Sequence, residues 1–120
     1  MEKEKNLDSI DIARRAVEAA SDKQAENLAL LDTRKICSFA DYFVICNGDS
    51  ERQIDAIVNE ISVQLKKEGV MPYSIEGKPD SGWVLIDLGT VIVHVFSPEE
   101  REYYKLDELW GEAIPAVRIQ

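Results

Sequence analysis

Two runs of β-branched and apolar residues, Trp83–Leu88 and Val91–Phe96, stand on either side of Gly89-Thr90. Runs of this kind separated by a two-residue, glycine-containing break form a β-hairpin. The length of the break sets the register. With Leu88 opposite Val91, Asp87 faces Ile92, Leu85 faces His94 and Trp83 faces Phe96. Side chains alternate across a strand, and cross-strand partners share a face. One face therefore carries Val84, Ile86, Leu88, Val91, Val93 and Val95, is wholly aliphatic, and belongs in a core. The other carries Trp83, Leu85, Asp87, Ile92, His94 and Phe96. It is too apolar for an ordinary solvated face and too polar for an ordinary core. Two readings follow. Either the face is offered to a partner, or a second layer of helices covers it and satisfies Asp87 and His94 internally.

The other elements are legible around this hairpin. Ile10, Ala13, Val17 and Ala20 recur at helical spacing and predict a helix over about Asp8–Ala20, capped by Asp8 or Ser9 and ended by the polar stretch Ser21–Glu26. Leu28–Leu31 reads as a short strand, Asp32–Lys35 as a polar connection, and Asp41–Cys46 as an inner strand covered on both faces. Ser50 followed three residues later by Gln53 is a capping box. It opens a helix from about Glu51 to Glu68 with an apolar stripe of Ile54, Ile57, Val58, Ile61 and Leu65, which Gly69 terminates. Tyr73–Glu76 reads as a further short strand and Gly77–Gly82 as a turn. Ser97-Pro98-Glu99-Glu100 starts a helix carrying Arg101, Tyr103 and Tyr104, with a helical turn around Leu106, Leu109 and Trp110. From Gly111 the tail is expected to be loose, although Ile114, Val117 and Ile119 could pack. The result is an α/β domain on one mixed sheet of about five strands, with a right-handed crossover after the Asp41–Cys46 strand. One domain is expected over residues 1–120, its core from about 8 to 111 and a short tail over 112–120.

Composition narrows what such a domain can do. With 14 Lys and Arg against 23 Asp and Glu, the net charge is −9. A protein that grips nucleic acid through its phosphates needs a basic surface, so direct DNA binding is not expected. An acidic surface instead favours a basic protein partner. Net acidity also serves plain solubility. No apolar run reaches membrane-spanning length, and Met1-Glu2-Lys3-Glu4-Lys5 is wrong for a signal or transit peptide. No membrane association and a cytoplasmic location are expected. Cys37 and Cys46 lack metal-like spacing and the chain has one histidine, so both cysteines read as reduced packing residues and no metal or other cofactor is expected.

Enzyme readings find little support in the residues. Gly48 and Ser50 at a helix start could hold a phosphate, as in nucleotidyl transfer. That chemistry also needs converging carboxylates for a metal, and the position two along from Asp87 is Gly89. Asp87 beside His94 could be half of a catalytic dyad, but no serine or cysteine is placed as its nucleophile. Tyr103, Tyr104 and Trp110 could stack bases, yet they lack the surrounding Lys and Arg. Arg101 could orient an acid by a charge-assisted hydrogen bond, or be an exposed helix pair of little consequence.

Three segments together resemble the ribosomal silencing factors, also called Iojap-like proteins. They are Asp41-Tyr42-Phe43-Val44-Ile45-Cys46-Asn47-Gly48-Asp49-Ser50-Glu51-Arg52-Gln53; Glu76-Gly77 with Gly82–Gly89; and Val91–Phe96 with Arg101, Tyr104, Leu106, Leu109 and Trp110. The resemblance covers roughly residues 8 to 111. Asp49 stands where family members often carry a small or amide residue. The resemblance implies a nucleotidyltransferase-like fold without the metal-binding acids, and a protein that is not an enzyme. It implies binding to the large ribosomal subunit through that subunit's ribosomal protein fourteen, a steric block to small-subunit joining, and damped translation when nutrients are short. Self-association of the free protein is a further possibility it raises. On this reading the docking surface is Trp83, Leu85, Asp87, Ile92, His94 and Phe96, extended by Tyr104 and Leu106. Trp83 is its chief anchor, Asp87 meets a basic residue, and His94 makes a polar contact. A nucleotidyltransferase-like enzyme and a homodimeric interaction domain with another partner stand as alternatives.

Overall fold

The computed structural model describes residues 7–104 and 114–119, with side chains described for residues 7–103. Its elements are α1 (Ser9–Asp22), β1 (Glu26–Asp32), β2 (Tyr42–Asn47), α2 (Glu51–Lys67), β3 (Ser74–Glu76), a 3₁₀ turn at Pro79–Ser81, β4 (Trp83–Asp87), β5 (Val91–Phe96), α3 (Pro98–Tyr104) and β6 (Ile114–Ile119). Six strands form one mixed sheet in the order β3-β4-β5-β2-β1-β6. β2 and β5 run parallel, and the other neighbouring pairs run antiparallel. Five of the strands are those the residue pattern predicts. The sixth comes from the tail expected to be loose: Ile114–Ile119 pairs with β1 along the sheet edge. Its alternation is interrupted by Pro115, which hides the strand from pattern reading. The predicted turn around Leu106, Leu109 and Trp110 lies outside the described residues.

The aliphatic face of the hairpin is the main core. Val84, Ile86, Leu88, Val91, Val93 and Val95 are all buried there with the apolar stripes of α1 and α2. Alanines at 13, 16, 19 and 20 let α1 lie close to its neighbours. β2 is buried along its whole length, as its central place in the sheet requires. The start of α2 is held by Ser50, whose Oγ accepts the Gln53 backbone N–H at 3.1 Å. Gln53 Oε1 reaches back to the N–H of Asp49 at 2.6 Å, one residue before the cap. Its amide nitrogen donates to the carbonyls of Lys23 and Gln24, at 3.1 and 3.0 Å, and so ties the α1–β1 turn to the same point. At α1 the N-cap is Asp8, but its side chain makes no capping hydrogen bond. Ser9 instead donates to Asp41 Oδ2 at 2.6 Å and lies 2.6 Å from the Thr90 hydroxyl, pinning the helix start to the residues that lead into β2 and β5. No helix among the described residues is long and apolar enough to cross a membrane.

Candidate partner-binding face

The hairpin register is the one the turn length dictates: Trp83 pairs with Phe96, Leu85 with His94 and Asp87 with Ile92. Gly89 takes φ +96° at the first turn position, where glycine is strongly favoured, and Asp87 Oδ1 accepts the Gly89 N–H at 2.9 Å. The six mixed-face residues therefore do lie together, on the side of the sheet away from α1 and α2.

They are not equally accessible. Phe96 is fully buried, His94 is 5% exposed and Ile92 8%. These three join Leu31, Ala40, Phe43 and Ile45 in a second, smaller core. Trp83, Leu85 and Asp87 remain half-buried at its open side. No second helical layer produces this burial among the described residues. Ile36 and Cys37 of the β1–β2 loop pack against the cluster. The accessible part of the face is thus Trp83, Leu85 and Asp87, while Ile92, His94 and Phe96 form its floor. Tyr104 ends α3 and its side chain is not among those described; Leu106 lies outside the described residues.

The expected role of His94 as an outward polar contact needs revision. Trp83 Nε1–H donates to His94 Nδ1 at 3.2 Å, which places the imidazole proton on Nε2. That nitrogen is buried and has no hydrogen-bond partner among the described residues. The ring sits 5.1 Å from Phe43, 5.9 Å from Trp83 and 6.1 Å from Phe96, centroid to centroid. In this apolar setting burial pushes its pKa down from 6.5 to about 4. His94 therefore works inward, holding the indole in one orientation. Its pH signature follows from linkage. Between about pH 6.5 and pH 4 the unfolded chain binds a proton that the folded chain refuses, so acidification destabilises the fold. By pH 4.5 the wild type should have lost on the order of 2 kcal/mol relative to His94→Gln, compared with their difference at pH 7.5. Urea denaturation of both proteins at the two pH values measures this, and an unchanged difference between them would show that His94 is not held neutral.

Two further features shape the accessible edge. Glu76, Gly77, Trp83 and Leu85 line a shallow pocket of about 190 Å³. Glu76 pairs with Leu85 and Ser74 with Asp87, so the two carboxylates flank Leu85 on the same face. Gly77 has φ +90°, and a Cβ there would fall 2.2 Å from the Trp83 carbonyl oxygen. Gly77→Ala is therefore expected to destabilise the domain by at least ~1–2 kcal/mol, read as a lowered denaturation midpoint. It should also shift the Trp83 emission spectrum. Pattern reading missed Glu76 as part of this face because β3 is only three residues long. It also missed Ile36, Cys37, Phe39 and Ala40, because a loop has no period to read. Their one visible signal is an apolar run inside a connection.

Other chemistry is not assembled. Cys46 is buried in the main core and its thiol is pushed up to about 12 by burial, so it is inert. Among the described residues no group of three or more His, Cys, Asp or Glu is disposed to hold a metal ion. Arg101 donates to the Asn27 carbonyl at 2.9 Å and to Asn47 Oδ1 at 2.8 Å, joining α3 to β1 and β2.

Comparison with known proteins gives this geometry a setting. The sequence profile of the family described as "Ribosomal silencing factor during starvation" (RsfS) matches residues 6–120, including the tail beyond residue 111. The chain is 47% identical over 98 residues to the ribosomal silencing factor RsfS of Bacillus subtilis, covering 82% of this chain and 83% of that one. It is 34% identical over 91 residues to the mouse protein named mitochondrial assembly of ribosomal large subunit protein 1, covering 73% of this chain and 40% of that protein. A crystal structure of a Chromobacterium violaceum protein superposes with a TM-score of 0.84 at 38% identity, over 88% of each chain.

Proposed function

This chain belongs to the ribosomal silencing factor family, and from that premise we propose that it represses translation by binding the large ribosomal subunit through ribosomal protein fourteen and blocking the small subunit from joining. The observation that carries the reading is the open edge of the second core. An indole, a leucine and two carboxylates, Glu76 and Asp87, lie together there on a buried aromatic floor. Apolar anchors ringed by acid suit a basic protein surface, and ribosomal proteins are generally basic. The net charge of −9 would speed the encounter. In this mechanism Trp83 inserts as the anchor, Leu85 adds apolar contact, and Asp87 meets a Lys or Arg of the partner. Ile92, His94 and Phe96 hold these groups in place, and Tyr104 and Leu106 extend the surface. The activity is occlusion: the bound factor occupies the joining surface and nothing turns over. The protein acts in the cytoplasm, where ribosomal subunits meet.

The test is co-sedimentation of the purified protein with separated subunits. It should travel with large subunits and not with small ones, and the binding should weaken with rising salt as charge pairs are screened. Equal binding to both subunits, or to neither, would contradict the proposal. The homodimeric reading has one supporting feature, the same half-exposed apolar edge, and predicts concentration-dependent self-association without subunit binding.

A further inference from the structure

The aromatic floor does not stop at the hairpin. From Trp83 the rings continue to His94 at 5.9 Å, on to Phe43 at 5.1 Å, and on to Phe39 at 6.5 Å. The middle of this row is buried, with His94 5% and Phe43 3% exposed. Its two ends emerge: Trp83 half-buried at one side, and Phe39, 62% exposed, at the other. A lone exposed phenylalanine on a loop needs no explanation. This one terminates a continuous apolar row on the same side of the sheet as the proposed docking face.

The loop that carries Phe39 is also held in place. Thr33 is fully buried; its hydroxyl donates to the Ala40 carbonyl at 2.9 Å, and its N–H donates to Asp41 at 2.9 Å. Its own carbonyl accepts the N–H groups of Ile36 and Cys37, at 3.2 and 2.9 Å. Asp32 holds Arg34 at 2.6 Å, and the guanidinium lies 5.4 Å over the Tyr42 ring. An exposed aromatic on a tied loop can be buried by a partner with little further ordering cost.

We propose that Phe39 is a second anchor of the docking face, so that the basic ribosomal protein spans the row from Trp83 to Phe39. This rests on the reading that the face binds the large subunit. The row's direction sets the footprint: it runs from β4 across β5 and β2 onto the β1–β2 loop, and away from the β3 edge. The exposed apolar residues near that edge lie elsewhere. Ile75 pairs with Ile86 on the helix-covered face, and Tyr73, 80% exposed, sits beside Gly89 at the hairpin turn.

Large-subunit binding should be titrated for the wild type, Phe39→Ala, Phe39→Leu, Trp83→Ala and Tyr73→Ala, with melting curves alongside. Phe39→Ala is expected to weaken binding about tenfold, with the melting temperature little changed because the ring is mostly solvated. Phe39→Leu should fall between it and the wild type, and Tyr73→Ala should bind normally. If Trp83→Ala weakens binding and Phe39→Ala does not, the second anchor is overturned and the hairpin reading stands. If Phe39→Ala disrupts only self-association, the occupant is a second copy, and the proposal fails. If the wild type does not bind large subunits, the reading and the second anchor fall together.

Discussion

Phe96→Ala is expected to destabilise the domain by ~3–5 kcal/mol, the largest stability effect of the substitutions considered. Phe96 is fully buried. Its ring stacks on Trp83 at 5.1 Å with 28° between planes, and on His94 at 6.1 Å with 7°. The second core is small, so few neighbours can collapse into the space the ring vacates. A domain of this length has a total stability of roughly 5–15 kcal/mol, and the loss would be a large share of it. Urea denaturation would measure it directly. Phe96→Leu should cost much less, about 1 kcal/mol, because most of the volume remains. The folded fraction of Phe96→Ala should also bind its partner poorly, because the indole loses the ring beneath it. Equal stability of Phe96→Ala and the wild type would mean that this face has no core of its own.

Trp83→Ala is expected to weaken large-subunit binding by about 2 kcal/mol or more, roughly 30-fold, and to relieve the block on subunit joining in proportion. The indole is half-buried, so part of its surface rests on Phe96 and part remains for a partner. Two variants separate packing from contact. Trp83→Phe keeps a ring in place but loses the N–H that His94 Nδ1 accepts; it should retain much of the stability and lose part of the binding. His94→Gln leaves the indole in place while altering its orienting partner, and should bind more weakly than the wild type without loss of fold. Normal binding by a folded Trp83→Ala would remove the anchor from the account.

Much of this arrangement was legible in the residues, for reasons that are local. The Gly89-Thr90 break and strand alternation determine which residues share a face, and the observed pairing agrees residue by residue. The Ser50–Gln53 box and the Ile54–Leu65 stripe define α2 by the same kind of short-range rule. What alternation cannot show is depth. It groups Trp83 with Phe96 but does not show that Phe96 is fully buried while Trp83 stays half-buried at the surface. Nor does it show that the nine-residue β1–β2 loop brings Ile36 and Cys37 against the same cluster, held by Thr33 hydrogen bonds to Ala40 and Asp41 that follow no periodic pattern. Alternation is equally silent on His94, which is buried and accepts the Trp83 indole N–H as an inward brace. The sixth strand escaped because Pro115 breaks its pattern and its pairing partner, β1, is some eighty residues away in the chain.

The central claim is silencing by occlusion, and a titrated subunit-joining assay tests it most directly. Purified small and large subunits would be mixed with increasing amounts of the protein, and joined ribosomes measured by sedimentation. Occlusion predicts that joining falls in step with occupancy of the large subunit, reaches its limit near one molecule per subunit, and recovers when the protein is diluted away. Trp83→Ala should need correspondingly higher concentrations. Inhibition at far below one molecule per subunit, inhibition that persists after removal, or undiminished joining at full occupancy would contradict it.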